Sequence, residues 1–177
     1  MRGGAASRRV ARTVLLAGEG DSEVLFLQHL KRLYVQRGSG VVVTIKNARG
    51  KGAGHVVDFA DRQSRNAAYD VKVVLLDTDA DWNDKTRAMA RKARVHVVAC
   101  EPCLEAVLLQ MHEVPLEGRV TAQLKHLFLT RFGAVASDAS VYERHFSHGQ
   151  LEVFRHRVAL LERLIHLLIN AEFQAIA

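Results

Sequence analysis

Four short apolar runs, at residues 13–17, 41–45, 71–76 and 95–99, constrain this chain more than any other feature. They are rich in Val, Leu and Ile with few polar interruptions, the pattern of strands buried on both faces of a parallel sheet. Parallel neighbours cannot be joined by a tight turn and need a crossover, usually a helix. The intervening segments supply one each time. Asp21 or Ser22 opens a helix reaching about Arg37, with Phe26, Leu27, Leu30, Leu33 and Tyr34 on one face, and Gly38-Ser39-Gly40 breaks it. Further helices are predicted over residues 55–67 and 84–92, and Pro102 suits the first turn of another that reaches about His112. The expectation is an α/β fold: a Rossmann-like, four-stranded, mainly parallel sheet flanked by helices on both faces.

From about Val120 the pattern becomes wholly helical. The chain therefore reads as a basic flexible N-terminal segment (1–12), an α/β core (13–115) and a helical C-terminal extension packed on the same domain (116–177). Phe154, Val158, Leu161, Ile165 and Leu168 alternate spacings of four and three, a stripe expected to pack on the chain's own core. A homodimer seam through this C-terminal helix is the alternative.

Charge narrows the partners. The net charge is +6, and Arg2, Arg8, Arg9 and Arg12 supply four of those charges within residues 1–12, where no acid occurs. The remainder is close to neutral, so basicity alone is a weak sign of nucleic-acid binding. Ser7-Arg8-Arg9 imitates a twin-arginine export signal, but the apolar stretch after it is shorter than the ~7–15 residues such a signal needs. No run approaches the ~18 apolar residues of a membrane span. Two cysteines make no disulfide framework, and the expected location is cytoplasmic.

Acids gather where an open parallel sheet collects ligands, at the carboxyl ends of strands. The first run leads to Glu19, the third to Asp77, Asp79 and Asp81, and the fourth to Glu101. Residues two apart share a strand face, so Asp77 and Asp79 are expected to point together. Clustered carboxylates repel, and a hard divalent cation, Mg²⁺ or Mn²⁺, is the natural counter-charge. A calcium loop is excluded, because Trp82 and Ala88 stand where it needs Gly and Glu.

Gly18-Glu19-Gly20-Asp21-Ser22-Glu23 after one strand, and Asp77-Thr78-Asp79-Ala80-Asp81 after another, resemble the Toprim domain, which places a Glu after its first strand and a D-x-D after its third. Glu101-Pro102-Cys103-Leu104-Glu105, continuing to His112, is similar to the N-P-x-F-E-x-W-L-L-x-H segment of RloB-like proteins, a Toprim branch found near bacterial defence loci. Tyr142-Glu143-Arg144 resembles that branch's later Tyr-x-Lys element. The likeness covers about residues 12–150. It implies a Toprim-like fold, with Glu19 as general acid/base or metal ligand and Asp77 and Asp79 as metal ligands. Asp81 would be a further acid, and Glu101 and Glu105 supporting acids sharing a helix face. Glu23 is either another supporting acid or a first-turn helix acid. The chain departs from the branch at Glu101 (for Asn), Leu104 (for an aromatic), Ala106-Val107 (for x-Trp) and Arg144 (for Lys).

Gly50-Lys51-Gly52-Ala53-Gly54 follows the second strand and opens a helix, so its backbone N–H groups are candidates to cradle a phosphate, with Arg49 and Lys51 contacting a nucleic-acid backbone. Walker A spacing is absent. Cys100-x-x-Cys103 is a weak redox or zinc motif that only His96 and His112 would complete, and His145-x-x-His148 reads as a polar loop. His112 either orients a phosphate or caps its helix.

These readings lead to a metal-dependent nuclease cutting DNA or RNA in bacterial defence. The alternative is a non-cleaving nucleic-acid or nucleotide binding module partnering a defence ATPase. Nucleotidyl transfer would use the same metal chemistry. Topoisomerase and primase are disfavoured, since the chain is short and no tyrosine stands out as a nucleophile.

Overall fold

The computed structural model describes residues 12–170. Among them are four strands, β1 (Arg12–Gly18), β2 (Val41–Asn47), β3 (Val71–Asp77) and β4 (His96–Cys100). Four helices follow them in turn: α1 (Asp21–Tyr34), α2 (Ala53–Asn66), α3 (Asp84–Ala93) and α4 (Leu104–Met111). Four more close the described chain: α5 (Thr121–Phe132), α6 (Ala139–His145), α7 (His148–Phe154) and α8 (Ala159–Ile169).

The strands form one sheet in the order β2-β1-β3-β4, and every pairing is parallel. This order explains the layers. The chain steps from β1 to β2 in one direction, then passes back over β1 to β3 and on to β4. Right-handed crossovers in opposite directions put their helices on opposite faces. The strands alternate accordingly. Val14, Leu16, Val73 and Leu75 pack with α1, α4 and the C-terminal helices, while Leu15, Ala17, Val74 and Leu76 pack with α2 and α3.

The expected architecture holds, with adjustments. α1 ends at Tyr34 rather than Arg37, because Val35 turns extended before the glycine break. Pro102 lies outside α4, whose N-cap is the extended Cys103. Glu101 and Glu105 therefore share no helix face. Arg12, assigned to the flexible segment, opens β1, is buried, and donates a hydrogen bond to the Asn170 carbonyl. Burial lowers its pKa, against the pull of Asp70. The rest of that segment, including Arg2, Arg8 and Arg9, lies outside the described residues.

The C-terminal stripe is divided between α7 and α8. Its Val158, Leu161, Ile165 and Leu168 are buried in the chain's own core, with Phe154 packed against it, so they supply no homodimer seam. No described helix is long and apolar enough to cross a membrane.

Candidate functional site

The sheet order reverses between β1 and β3, and a crevice at such a switch point is where an open α/β sheet binds ligands. Glu19 and Asp77 stand at its two lips. Glu19 leaves β1 with its N–H on the Leu75 carbonyl at 3.1 Å, and its Oε2 accepts the Asp77 N–H at 3.3 Å. Gly18 permits the turn. Any Cβ there would come within 2.9 Å of Glu23 and Val24, because the first turn of α1 lies directly on this backbone.

Two further acids reach the crevice from helices. Glu23, in the first turn of α1, is only 6% exposed, and its Oε2 accepts the Gly20 N–H at 2.8 Å. Glu105, in the first turn of α4, is 8% exposed. Asp77 Oδ1 accepts the Leu104 N–H at 2.9 Å, which holds α4 against the end of β3. The two readings of Glu23 thus coincide: it caps its own helix and belongs to the acid cluster.

The electrostatics follow from this packing. Burial, then the charges of Glu23 and Glu105, push the Asp77 carboxyl up to about 8, with the Leu104 N–H and Lys125 opposing. Burial also raises Glu19, where the Asp77 N–H and Lys125 pull down and Asp81 and Asp79 push up. Burial raises Glu23 against its hydrogen bond from Gly20. The like charges felt by Asp77 thus come from the first turns of α1 and α4, and those felt by Glu19 from the loop after β3. Asp79 lies past the end of β3 and is exposed, so the strand-face argument pairing it with Asp77 does not apply.

One cation, which the sequence reading missed, answers these acids. Lys125 on α5 places its Nζ 4.0 Å from Asp77 Oδ2. Burial lowers its pKa, but Glu105 and Asp77 outweigh that and leave it raised. No local signal marked this residue, a lone Lys on a helix assigned to the extension.

The glycine loop is also part of the crevice. Arg49, Gly50, Lys51 and Gly52 all have positive φ, and for Arg49 and Lys51 this left-handed backbone costs about 1 kcal/mol or more each. The Gly50 N–H donates to the Glu19 carbonyl at 2.7 Å, tying the loop to the β1 end. Beside it, Gly20, Asp21, Asn47 and Arg49 line an open cleft of about 500 Å³. The expected backbone cradle is already filled: Asp81 Oδ1 accepts the Ala53 N–H at 2.6 Å, so the anion at the start of α2 belongs to the chain itself. The loop presents the side chains of Arg49 and Lys51, and Asp81 serves as a helix anchor.

Other singled-out residues stand elsewhere. Glu101 is exposed on the loop after β4. Cys100 and Cys103 are buried free thiols, and burial pushes Cys103 up to about 12, opposite to what redox or zinc chemistry requires. His112 takes the C-cap position of α4 with Nε2 3.1 Å from the His145 carbonyl, its ring against Phe132, Phe146 and Phe154. His145 ends α6 and His148 begins α7, so neither lies in a loop. Tyr142 is buried and donates to the Ala136 carbonyl at 2.7 Å.

Among the described residues no three His, Cys, Asp or Glu side chains come together as a metal-binding group. Glu19, Asp77 and Asp79 therefore do not converge as the sequence reading expected. The donor set still suits a hard ion. Mg²⁺ keeps several waters and is commonly held by one or two carboxylates, for which Glu19 and Asp77 at the adjacent strand ends are the candidates, and the buried acids outnumber the Lys125 cation that faces them. Zinc, which takes a closed set of four N or S ligands in structural sites, does not fit. Comparison of the chain with protein-family models, curated proteins and solved structures found no match.

Proposed function

We propose that this protein is a divalent-cation-dependent phosphodiesterase of Toprim type, RloB-like branch, acting on DNA or RNA in bacterial defence. The observation that carries the reading is the meeting of Glu19 and Asp77 across the β1–β3 switch point, joined through the Asp77 N–H at 3.3 Å. The order of the acid motifs in the sequence supports it independently.

In this reading Glu19 and Asp77 hold Mg²⁺ or Mn²⁺, with Asp79 at the rim. The ion supplies charge neutralisation for a phosphoryl group and acidifies a bound water. Glu19 serves either as that ion's ligand or, where Asp77 holds the ion, as the proton acceptor at the crevice. Glu23 and Glu105 keep the floor of the crevice negative. Arg49 and Lys51, held by the Gly50 bond to Glu19, meet the nucleic-acid backbone.

Labelled DNA and RNA incubated with pure protein in Mg²⁺ or Mn²⁺ test the assignment. Cleavage by the wild type and a loss of about 100-fold or more in Asp77→Asn are expected. Equal cleavage by both proteins would overturn it.

One observation favours a second reading, a non-cleaving module that binds nucleic acid or a nucleotide beside a defence ATPase. Among the described residues the acids are not gathered into a three-ligand group. Cation-dependent binding with no turnover on any nucleic acid would select this reading.

A further inference from the structure

Lys125 comes from a part of the chain that contributes no strand and, from sequence, no site. Its neighbour Leu124, and Phe128 one turn on, are buried and fix α5 in the core, which leaves Lys125 at the crevice edge. Half of its side chain is exposed, against 15% for Asp77. Besides Asp77, its ammonium is drawn toward Glu105 and Asp79. The separation of 4.0 Å is longer than a hydrogen bond, so the contact is coulombic and no directional bond is lost if the flexible stem swings outward.

A cation binding the Asp77 carboxylate meets this ammonium there. Two positive charges there repel, and the crevice edge gives the longer, half-exposed side chain a way out to water. We propose that Lys125 is the resident counter-ion of the acid cluster and that a divalent cation competes with it for Asp77. The helical extension then tunes metal affinity as well as covering the sheet. This inference rests on the metal-dependent reading above.

Mn²⁺ titration of the full chain, followed by the electron paramagnetic resonance of free Mn²⁺, tests it in wild type, Lys125→Met and Lys125→Arg. Met keeps the apolar stem and removes the charge, and Arg keeps the charge. Removing a partly screened unit charge a few ångströms from the ion should tighten Mn²⁺ binding about fivefold in Lys125→Met. Lys125→Arg should stay close to wild type, and circular dichroism checks that each variant is folded. Unchanged or weaker binding in folded Lys125→Met would overturn the competition while leaving the metal site standing. Absence of Mn²⁺ binding in all three proteins would overturn the metal site and the competition together.

Discussion

Asp77 Oδ1 accepts the Leu104 N–H at 2.9 Å, so the acid that ends β3 also anchors the first turn of α4. This double duty gives its titration an unusual sign. Burial, with Glu23 and Glu105, raises Asp77 to about 8, whereas an unfolded carboxyl titrates near 4. Between those values the folded protein holds a proton that the unfolded chain has released. Metal-free stability must therefore fall as pH rises from about 4 to about 8. Asp77→Asn keeps the acceptor for Leu104 and removes the charge. It should melt a few degrees above wild type at pH 8.5 without divalent cation, and the gap should close toward pH 5. Asp77→Ala should be about 1 kcal/mol less stable than Asp77→Asn, from loss of the Leu104 bond. Thermal melts from pH 5 to 9 with chelator present read both effects. A wild type-to-Asn difference that does not change with pH would contradict the assignment.

Asp81 anchors the start of α2 through Ala53 at 2.6 Å, and this contact joins the loop after β3 to the glycine loop. Asp81→Ala should cost about 1 kcal/mol in urea unfolding, the usual value of a lost helix cap, and Asp81→Asn less, because an acceptor remains. A fully neutral Asp81→Ala would show that the contact contributes nothing to stability.

Gly52 makes that contact sterically possible. It has φ +83°, and a Cβ there would lie 2.7 Å from both Asp81 carboxylate oxygens. Gly52→Ala therefore combines left-handed strain of about 1 kcal/mol with displacement of Asp81. Once Asp81 is already Ala, only the strain should remain. A double-mutant cycle by urea unfolding should show coupling of about 1 kcal/mol, and strict additivity would separate the two residues.

The sequence made the sheet legible because the central strands β1 and β3 are buried on both faces, and all four strands read as mainly apolar runs, even the edge strand β2, where Val42 is 45% exposed. It made Glu19 and Asp77 legible because both follow such runs directly. What escaped it depends on contacts between distant elements. Glu23 and Glu105 look like ordinary first-turn helix acids, and their burial arises only when α1 and α4 close over the ends of β1 and β3. Asp81 resembles another strand-end acid until α2, 28 residues away, presents Ala53 to it. Lys125 meets Asp77 only through the docking of α5 on α4, which no local pattern encodes. Pro102 was misplaced because a proline suits both a helix's first turn and the residue just outside it.

At the opposite end of the strands, Thr13 and Asp70 fasten the start of β1 to the approach of β3. Asp70 Oδ2 accepts the Thr13 N–H at 2.6 Å and the Thr13 hydroxyl at 2.8 Å. The backbone bond, then the hydroxyl bond, hold Asp70 below the ordinary carboxylate range. A depressed folded pKa stabilises the protein above the unfolded value near 4, and that contribution disappears as pH falls through the folded value. Asp70 is exposed, so solvent screening limits the effect to about 1 kcal/mol or less. Asp70→Ala should therefore lower stability by up to that amount at pH 7, with the difference shrinking steadily below pH 4. This acid-side loss is opposite in sign to the Asp77 effect. Urea unfolding of wild type and Asp70→Ala at pH 3 and pH 7 measures it, and an equal difference at both values would show that the carboxylate charge is not what fastens the two strands.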